Sequence, residues 1–207
     1  MGDREAPDEG RLYSLADEQL GYFTTEQASS CGYSRSMLAY HVARGRFLRA
    51  GWGIYRFSRY PYAPFEPMMV AWLQCGGDAV VSHESALALH GLSNIIPRGV
   101  HVTVARSRRS KRTPDGVILH TTSRSIAGEE RVVHPESGVP ITSVVRTLVD
   151  VAAADTPFEE IVNAIGEATA LRPTLASSLR QAARERGGMA AERIGRALET
   201  AVTNTPG

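Results

Sequence analysis

The fold of the N-terminal part is decided by residues 24–57, which read TTEQASSCGYSRSMLAYHVARGRFLRAGWGIYRF. Thr24 stands three residues before Gln27, the spacing of a capping box, so a short helix is predicted to begin here. After a tight turn, Ser34 is a good N-cap for a second and longer helix. Gly45 ends that helix in the way that a C-terminal glycine commonly does. The stretch therefore starts as two helices joined by a turn.

Two short β-prone runs follow the second helix, at 47–49 and 54–57, and a glycine-containing turn separates them. They predict a small β-hairpin. Upstream, apolar residues at helical spacing predict a first helix over 11–20. The order of helix, short helix, turn, longer helix and hairpin is that of a winged helix-turn-helix, whose second helix of the motif enters the major groove of DNA. DNA binding is therefore the function that this part of the chain predicts.

The charge distribution supports DNA binding more than the net charge does. The whole chain carries a formal net charge of +1, yet residues 27–65 hold six arginines and no Asp or Glu. Such a segment forms a local positive surface that attracts phosphate backbones. The predicted DNA-binding residues lie at the two helix starts, on the exposed face of the longer helix and in the hairpin; they are Thr25, Ser34, Arg35, Ser36, Tyr40, Arg44, Arg46, Arg49 and Arg56.

These residues are predicted to have different roles. The two helix starts offer backbone N–H groups to a phosphate, and the arginines from Arg44 onward are placed for phosphate contacts. The middle of the longer helix holds Ala39 and Tyr40 rather than basic residues. Tyr40 is either a contact to a sugar or thymine methyl group, or a partly buried core residue. Phosphate binding is therefore better specified by this sequence than base reading.

The rest of the chain predicts a second domain. We divide the sequence into a disordered tail (1–10), a winged helix-turn-helix domain (11–60), a linker (61–66) and a mixed α/β domain ending in several helices (67–207). Together they make an α+β protein. In the second domain, periodicity predicts helices at 68–75, 82–90 and 143–153, strands at 79–81, 100–105, 117–121 and 139–141, and three helical segments after residue 157.

A second basic cluster lies between two of these predicted strands. It consists of Arg106, Arg108, Arg109, Lys111 and Arg112. Three interpretations stay open: a second phosphate-binding patch, a surface for an acidic or RNA-bound partner, and a solvated hairpin loop.

The histidines and cysteines predict structural roles rather than a metal site. His83-Glu84 begins like the zinc-protease motif HExxH, but the fourth position after His83 is Leu87, so that pair of ligands cannot form. His83 and His90 lie two helical turns apart, too far to share one ion by themselves. His101 and His120 lie on two predicted strands, where they could be cross-strand neighbours. Cys31 and Cys75 are isolated and fit neither a disulfide framework nor a metal knuckle. No metal or cofactor is therefore predicted.

The sequence also argues against catalysis and against a membrane location. The single lysine and the lack of a Glu-x-Lys pattern disfavour a metal-dependent nuclease, and no Asp-x-Asp pair of a nucleotidyltransferase occurs. We therefore expect a protein that is not an enzyme. The start of the chain does not resemble a signal peptide, and no long apolar run is present, so the expected location is the cytoplasm.

The chain resembles the AbiEi family of antitoxins from type IV toxin–antitoxin systems. In the first half the similar pieces are Phe23-Thr24-Thr25-Glu26-Gln27-Ala28, Gly32-Tyr33-Ser34, Gly45-Arg46-Phe47 and Gly53-Ile54-Tyr55-Arg56. In the second half they include Ser82-His83-Glu84-Ser85-Ala86-Leu87, Val100-His101-Val102-Thr103-Val104, Gly138-Val139-Pro140-Ile141-Thr142-Ser143 and Arg146-Thr147-Leu148-Val149-Asp150. Together these motifs cover residues 20 to 155 approximately.

The resemblance implies a bacterial antitoxin encoded beside a nucleotidyltransferase-like toxin. The N-terminal domain would bind repeats in its own promoter and repress its operon. The C-terminal domain would neutralise the toxin, either by direct contact or by counteracting its effect. The alternatives are a stand-alone winged-helix transcriptional regulator with a ligand-sensing C-terminal domain, and a structural adaptor that does not bind DNA.

Overall fold

The computed structural model describes residues 6–108 and 112–203. The described residues form two compact units. The first unit contains the described residues up to Asp78 together with His134–Val139, and the second contains Ala79–Val133 and the described residues from Pro140 onward. Both units mix helices and strands, which confirms the predicted α+β class.

The first unit has the predicted order of helices and strands, with one strand and one helix added. Its elements are α1 (Glu9–Asp17), β1 (Tyr22–Thr24), α2 (Thr25–Ser30), α3 (Arg35–Ala43), β2 (Phe47–Gly51), β3 (Ile54–Phe57) and α4 (Glu66–Cys75). Helix α1 begins earlier than expected because the carboxylate of Asp8 accepts a hydrogen bond from the backbone N–H of Arg11 and caps it. The predicted tail 1–10 is thus helical at its end, and residues 1–5 lie outside the described residues.

Local capping explains why α2 and α3 begin where they do. The Thr24 hydroxyl accepts from the Gln27 N–H at 3.1 Å, while the Gln27 side chain accepts from the Thr24 N–H at 2.8 Å. This reciprocal pair confirms the predicted capping box. At α3, the Ser34 hydroxyl accepts from the Met37 N–H at 3.2 Å, so Ser34 is the N-cap that the sequence predicts.

A three-stranded antiparallel sheet of order β1-β3-β2 carries the helices of the first unit. The buried core between sheet and helices is aromatic: Phe23 packs edge-on against Phe47 with ring centroids 5.0 Å apart, and Phe47 packs against Phe57 at 5.1 Å. Leu12 of α1 and Leu38 of α3 are fully buried in the same core. This core holds α3 and the hairpin β2–β3 together as one rigid element.

Helix α4 belongs to the first unit, because it packs on all three strands of that sheet. Its buried residues are Met69, Ala71, Leu73 and Cys75. Cys31 and Cys75 are both buried free thiols, as expected. The boundary between the units therefore moves from the predicted linker at 61–66 to the segment after Asp78.

The second unit combines a five-stranded mixed sheet with a helical core. Its elements are β4 (Val80–Val81), α5 (His83–Leu89), β5 (Val100–Ala105), β6 (Val117–Thr122), β7 (Arg131–Val133), β8 (Pro140–Thr142), α6 (Val144–Ala153), α7 (Phe158–Leu171), α8 (Leu175–Arg186) and α9 (Gly188–Thr203). The strand order is β6-β5-β4-β8-β7. The largest apolar cluster joins α5 to α6, α7, α8 and α9, with fully buried Leu148, Ile161, Ile165 and Ile194.

One of the three interpretations of the segment between β5 and β6 is excluded by this sheet. The segment between β5 and β6 is not a hairpin loop, because the two strands run parallel, with Val100 opposite Val117 and Ala105 opposite Thr122. The connection must return along the whole strand before β6 begins. Gly99 allows the close approach at the strand starts, since a Cβ at that position would lie 2.7 Å from the Gly116 carbonyl oxygen. Among the described residues, no helix has both the length and the apolar character to cross a membrane.

Candidate nucleic-acid interface

Helix α3 presents a polar face with short side chains to solvent. Arg35 is its first residue and Arg44 its C-cap, and both are exposed. Between them Ser36 and Ala39 are exposed as well. Tyr40 is 56% exposed, and the Arg44 guanidinium lies over its ring, 5.2 Å from the centroid. The structure therefore places Tyr40 on the surface rather than in the core.

Arg35 and Arg49 line one groove of the first unit. This groove has a volume of about 610 Å³ and also contains Trp52. Trp52 lies in the turn of the hairpin β2–β3, which we call the wing. One exposed carboxylate, that of Glu26, lines the same groove. Arg49 is exposed on β2, and its Nε–H reaches the Gly51 carbonyl at 3.5 Å. A helix residue and a wing residue are thus brought to one concave surface, as contact with a duplex backbone requires.

Arg44 and Arg46 line a second, separate pocket of about 520 Å³, together with Arg59. Arg46 forms an ion pair with Glu9. Both side chains are about half exposed, so the pair is weak. Arg46 can still reach a phosphate, but Glu9 competes for its guanidinium.

Thr25 is partly exposed and lines the groove with Arg35 and Arg49, but its hydrogen-bond donors are used within the protein. Its backbone N–H donates to the Gly53 carbonyl at 2.8 Å, and its hydroxyl donates to the same oxygen at 3.2 Å. The N-cap of α2 is Thr24. The Thr25 N–H that the sequence predicts as a phosphate donor is therefore already bonded to Gly53, and it ties α2 to the turn between β2 and β3.

Arg56 is likewise a structural residue, and its prediction as a DNA contact is wrong. It is 2% exposed and donates to the carbonyls of Tyr60 at 2.7 Å and Pro61 at 2.9 Å. Its guanidinium is paired with the Glu66 carboxylate at 3.2 Å. Arg56 therefore joins β3 to the segment that leads into α4, and it contributes no charge to the surface.

Two further residues of this surface were missed by the sequence analysis. Trp52 is 88% exposed at the turn between β2 and β3, where Gly53 adopts a φ of +73°. An exposed tryptophan flanked by two glycines at a hairpin tip is a signal that the sequence does contain. Arg59 is exposed after β3 and lies in the pocket with Arg44. Its acid-free surroundings are the signal that could have found it.

The second basic cluster is described only in part. Arg106 and Arg108 form a short 3-10 turn directly after β5, and Arg106 and Arg112 are exposed. Arg109 and Lys111 lie outside the described residues. Because β5 and β6 run parallel, Arg106 and Arg112 do not flank the tip of a hairpin.

Three histidines of the second unit come together. The Nδ1 of His101 and the Nε2 of His120 are 3.0 Å apart, which confirms the expected cross-strand contact. The ring of His83 stacks on that of His120 with centroids 3.6 Å apart. Burial lowers the pKa of His83 to about 2 and that of His120 to about 4, and neighbouring imidazoles add to both effects. Burial also lowers the pKa of His101, so all three rings are neutral near pH 7.

A second polar network of the same unit centres on Arg146. Its Nε–H donates to both carboxylate oxygens of Asp150, at 3.0 and 2.9 Å, and its Nη1 donates to Glu130 at 3.2 Å. Asp150 is 2% exposed. Burial raises the pKa of the Asp150 carboxyl, while Arg146 opposes that rise. Arg124 pairs with the same Glu130, and the network borders a cavity of about 760 Å³.

Comparisons with known proteins address the fold of the chain and the family that its N-terminal part resembles. The crystal structure of the RV2827C protein from Mycobacterium tuberculosis matches with a TM-score of 0.58 and 17% sequence identity, over 96% of this chain and 79% of that chain. At this identity the likeness concerns the fold alone. No curated protein matches the chain. Residues 11–58 match the model of the family described as "Transcriptional regulator, AbiEi antitoxin". This match confirms the family resemblance for the N-terminal part of the chain.

Proposed function

We propose that this protein is an antitoxin that binds promoter DNA through its first unit and represses its own operon. The observation that carries the proposal is the placement of Arg35, Arg44 and Arg49. They are exposed at the two ends of α3 and on the wing strand β2. Nine residues of helix span about 13 Å, and the major groove of B-DNA is about 12 Å wide. Arginines at both ends of α3 are therefore spaced to reach phosphates on either side of the groove.

The same surface supports affinity more than base reading. The exposed positions between the two arginines carry the short side chains of Ser36 and Ala39, which let the helix approach the base edges closely. Neither residue can form the bidentate contacts by which arginine or asparagine discriminates bases. We expect Tyr40 to supply an apolar contact in the groove. Sequence preference would then come from few contacts and from the shape of the DNA.

The proposal is tested by measuring DNA affinity as a function of salt. Each phosphate contact contributes about 0.9 to the slope of log K against log salt. We expect Arg35→Ala, Arg44→Ala and Arg49→Ala each to weaken binding to the DNA upstream of the gene and to lower that slope by about one. Arg180→Ala is the matched control, because Arg180 is an exposed arginine of the second unit. Unchanged slopes in all three variants contradict the assigned surface.

We place the neutralising activity in the second unit, as the family resemblance implies. The same resemblance implies that the cognate toxin is a nucleotidyltransferase-like protein encoded next to this gene. This placement is compatible with neutralisation by direct contact with the toxin and with neutralisation that counteracts the toxin's effect. No catalytic activity is assigned to the protein, and the cytoplasm is the compartment where it would meet promoter and toxin.

A full-length variant separates the two activities without truncation. The triple variant Arg35→Ala, Arg44→Ala, Arg49→Ala is expected to lose repression of a promoter reporter while still rescuing growth when the toxin is co-expressed. If it fails to rescue at a protein level equal to wild type, neutralisation does not lie in the second unit alone. Co-purification of toxin and antitoxin then distinguishes direct contact from counteraction.

A stand-alone regulator that senses a ligand is the second candidate, and the cavity of about 760 Å³ favours it. Its lining includes Arg124, Arg146 and Arg186 beside Glu130 and Glu185, a mixed set that suits a small polar molecule. Under this alternative, the adjacent gene does not encode a nucleotidyltransferase, and small anionic metabolites change the affinity for promoter DNA. A toxin gene in that position, with growth rescue on co-expression, favours the antitoxin.

A further inference from the structure

The strongest unassigned chemistry in the molecule is the group of His83, His101 and His120. Each imidazole offers one nitrogen to a common space, and these nitrogens all lie within 4.8 Å of one another. The closest pair, His101 Nδ1 and His120 Nε2, is 3.0 Å apart. Two imidazole nitrogens on one tetrahedral Zn²⁺ lie about 3.3 Å apart, given Zn–N bonds of about 2.0–2.1 Å. An imidazole binds a metal in the plane of its ring, and the His83 and His120 rings are stacked with their planes 12° apart. One of these two rings must therefore turn about its Cβ–Cγ bond before the three nitrogens converge on one ion.

The outer nitrogens of two of these rings are already held by neighbouring groups. Nδ1 of His83 lies 2.9 Å from the Ser82 hydroxyl, which is itself 2.7 Å from the Thr103 hydroxyl. Nε2 of His101 faces the Glu84 carboxylate at 3.7 Å. Such partners orient metal-bound histidines. When Nδ1–H of His83 donates to Ser82 and Nε2–H of His101 faces Glu84, the inner nitrogens of both rings are free to bind a metal. The inner set is then His83 Nε2, His101 Nδ1 and His120 Nε2.

The backbone at His83 also departs from what packing alone requires. His83 has a φ of +51°, in the left-handed region that a residue with a side chain rarely adopts. It lies where β4 passes into α5, and this conformation is strained for a residue with a side chain. The strained turn directs the imidazole onto the ring of His120. Strain of this kind is concentrated at functional sites.

We propose that His83, His101 and His120 bind one divalent transition-metal ion of the Zn²⁺ class, with water or another exogenous ligand at the fourth position. Imidazole is a preferred ligand of this class, and a site with three protein ligands keeps one position open. Glu84 remains outside the coordination shell, where it holds His101 and accepts a hydrogen bond from the Thr156 hydroxyl at 3.2 Å. The proton shared between His101 and His120 moves to an outer ring nitrogen.

The ion would join three separate parts of the second unit. His83 lies at the junction of β4 and α5, His101 on β5 and His120 on β6. A metal that binds the folded state and not the unfolded chain stabilises the fold by mass action. The inference concerns the second unit alone and does not rest on the proposed DNA binding, so the salt-dependent affinity for promoter DNA is tested separately.

The test uses full-length protein without a histidine tag, freed of metal with a chelator and then dialysed. Calorimetric titration with Zn²⁺ is expected to show one ion per chain, and Co²⁺ is expected to give the intense visible absorption of a tetrahedral site. The variants His101→Gln and His120→Gln should each lower the Zn²⁺ affinity by about 100-fold, and Glu84→Gln by about tenfold, since it removes an outer partner. His90→Gln is the control, because His90 caps the other end of α5 and its Nε2 lies 2.8 Å from the Thr142 carbonyl oxygen.

The wild-type protein alone can also overturn the proposal. Long-range ¹H–¹⁵N correlation spectra report which imidazole nitrogens shift when Zn²⁺ is added. We expect shifts at His83 Nε2, His101 Nδ1 and His120 Nε2 and none at His90. Absence of stoichiometric binding, shifts at other histidines, or equal affinity in the His101→Gln and His120→Gln variants would each refute the site. This readout does not depend on whether a variant folds.

Discussion

The buried Arg56 provides the sharpest test of how this fold is held together. Its guanidinium lies between two aromatic rings, 5.5 Å from the centroid of Tyr22 and 4.4 Å from that of Tyr62. It is paired with Glu66, whose carboxylate also accepts from the Tyr22 hydroxyl at 2.9 Å. We consider the substitution Arg56→Met, which keeps the aliphatic stem and removes the charge and the donors.

The expected loss of stability follows from the partners that remain. Removal of one member of a buried ion pair costs about 3–5 kcal/mol, because the other charge is left without compensation. Glu66 keeps its hydrogen bonds from Tyr22 and from the Ala63 N–H at 3.1 Å. The expected loss of stability is therefore near the lower end of that range. Within the described residues, the buried Nε–H of Arg56 has no hydrogen-bond partner. Removing this unpaired donor offsets part of the loss of stability. We therefore expect the free energy of unfolding of the first unit to fall by about 3 kcal/mol.

Tryptophan fluorescence reports this loss for the first unit alone. The two tryptophans of the chain, Trp52 and Trp72, both lie before Asp78. In a Trp52→Phe background, urea unfolding followed through Trp72 should show a midpoint lowered by about 2–3 M, taking an m-value near 1 kcal/mol per M for a unit of this size. The exposed Arg49→Ala variant should change stability by less than about 0.5 kcal/mol. The reasoning is refuted if Arg56→Met leaves the midpoint unchanged and lowers DNA affinity as Arg49→Ala does.

Two further predictions concern the second unit and the wing. With chelator present, the free energy of unfolding should fall by about 1.5–2.5 kcal/mol per pH unit between about pH 6.5 and about pH 4, because His83 and His120 are protonated in the unfolded chain but not in the folded one. Their depressed pKa values, about 2 and about 4, mean that this stability is present above pH 6.5 and is lost on acidification. Urea unfolding followed by far-UV circular dichroism measures the slope, and a His83→Gln variant with the wild-type slope contradicts the assignment. For the wing, Trp52→Ala should weaken promoter binding about tenfold, equal to about 1.4 kcal/mol, without changing the salt slope, since the ring carries no charge. Promoter DNA should also quench Trp52 fluorescence in a Trp72→Phe background, and an emission that DNA does not alter removes Trp52 from the interface.

The helices and strands could be predicted well wherever their signals are local. The capping box of Thr24 and Gln27 and the N-cap Ser34 act within three residues, so the short segments they begin are determined by their own sequence. Strand β5 was predicted at its observed bounds because alternation of apolar and polar residues needs no information from elsewhere. The charge pattern, in contrast, predicts which segment is basic but not which of its arginines reach the surface.

Arg56 shows why a segment charge does not identify contacts. Arg49 and Arg56 lie in one acid-free stretch and in paired strands, and nothing in that stretch distinguishes them. The distinction comes from Glu66, which lies ten residues beyond Arg56 and enters the core with α4. Glu66, which lies outside the local sequence pattern, keeps Arg56 buried, whereas Arg49 stays exposed. In the same way, the Thr25 hydroxyl donates to the carbonyl of Gly53, which is 28 residues away in the sequence.

The sequence by itself determined the winged-helix order and the acid-free arginine segment, because caps, glycines and periodicity act over a few residues. Tertiary structure alone decided which arginines reach solvent and that His83 joins the pair of His101 and His120. His83, His101 and His120 span nearly forty residues of sequence, and they meet because β5 and β6 pair in parallel register beside the strained turn after β4. Strand register and side-chain burial depend on contacts between distant segments, and such contacts leave no signature in any single stretch of the chain.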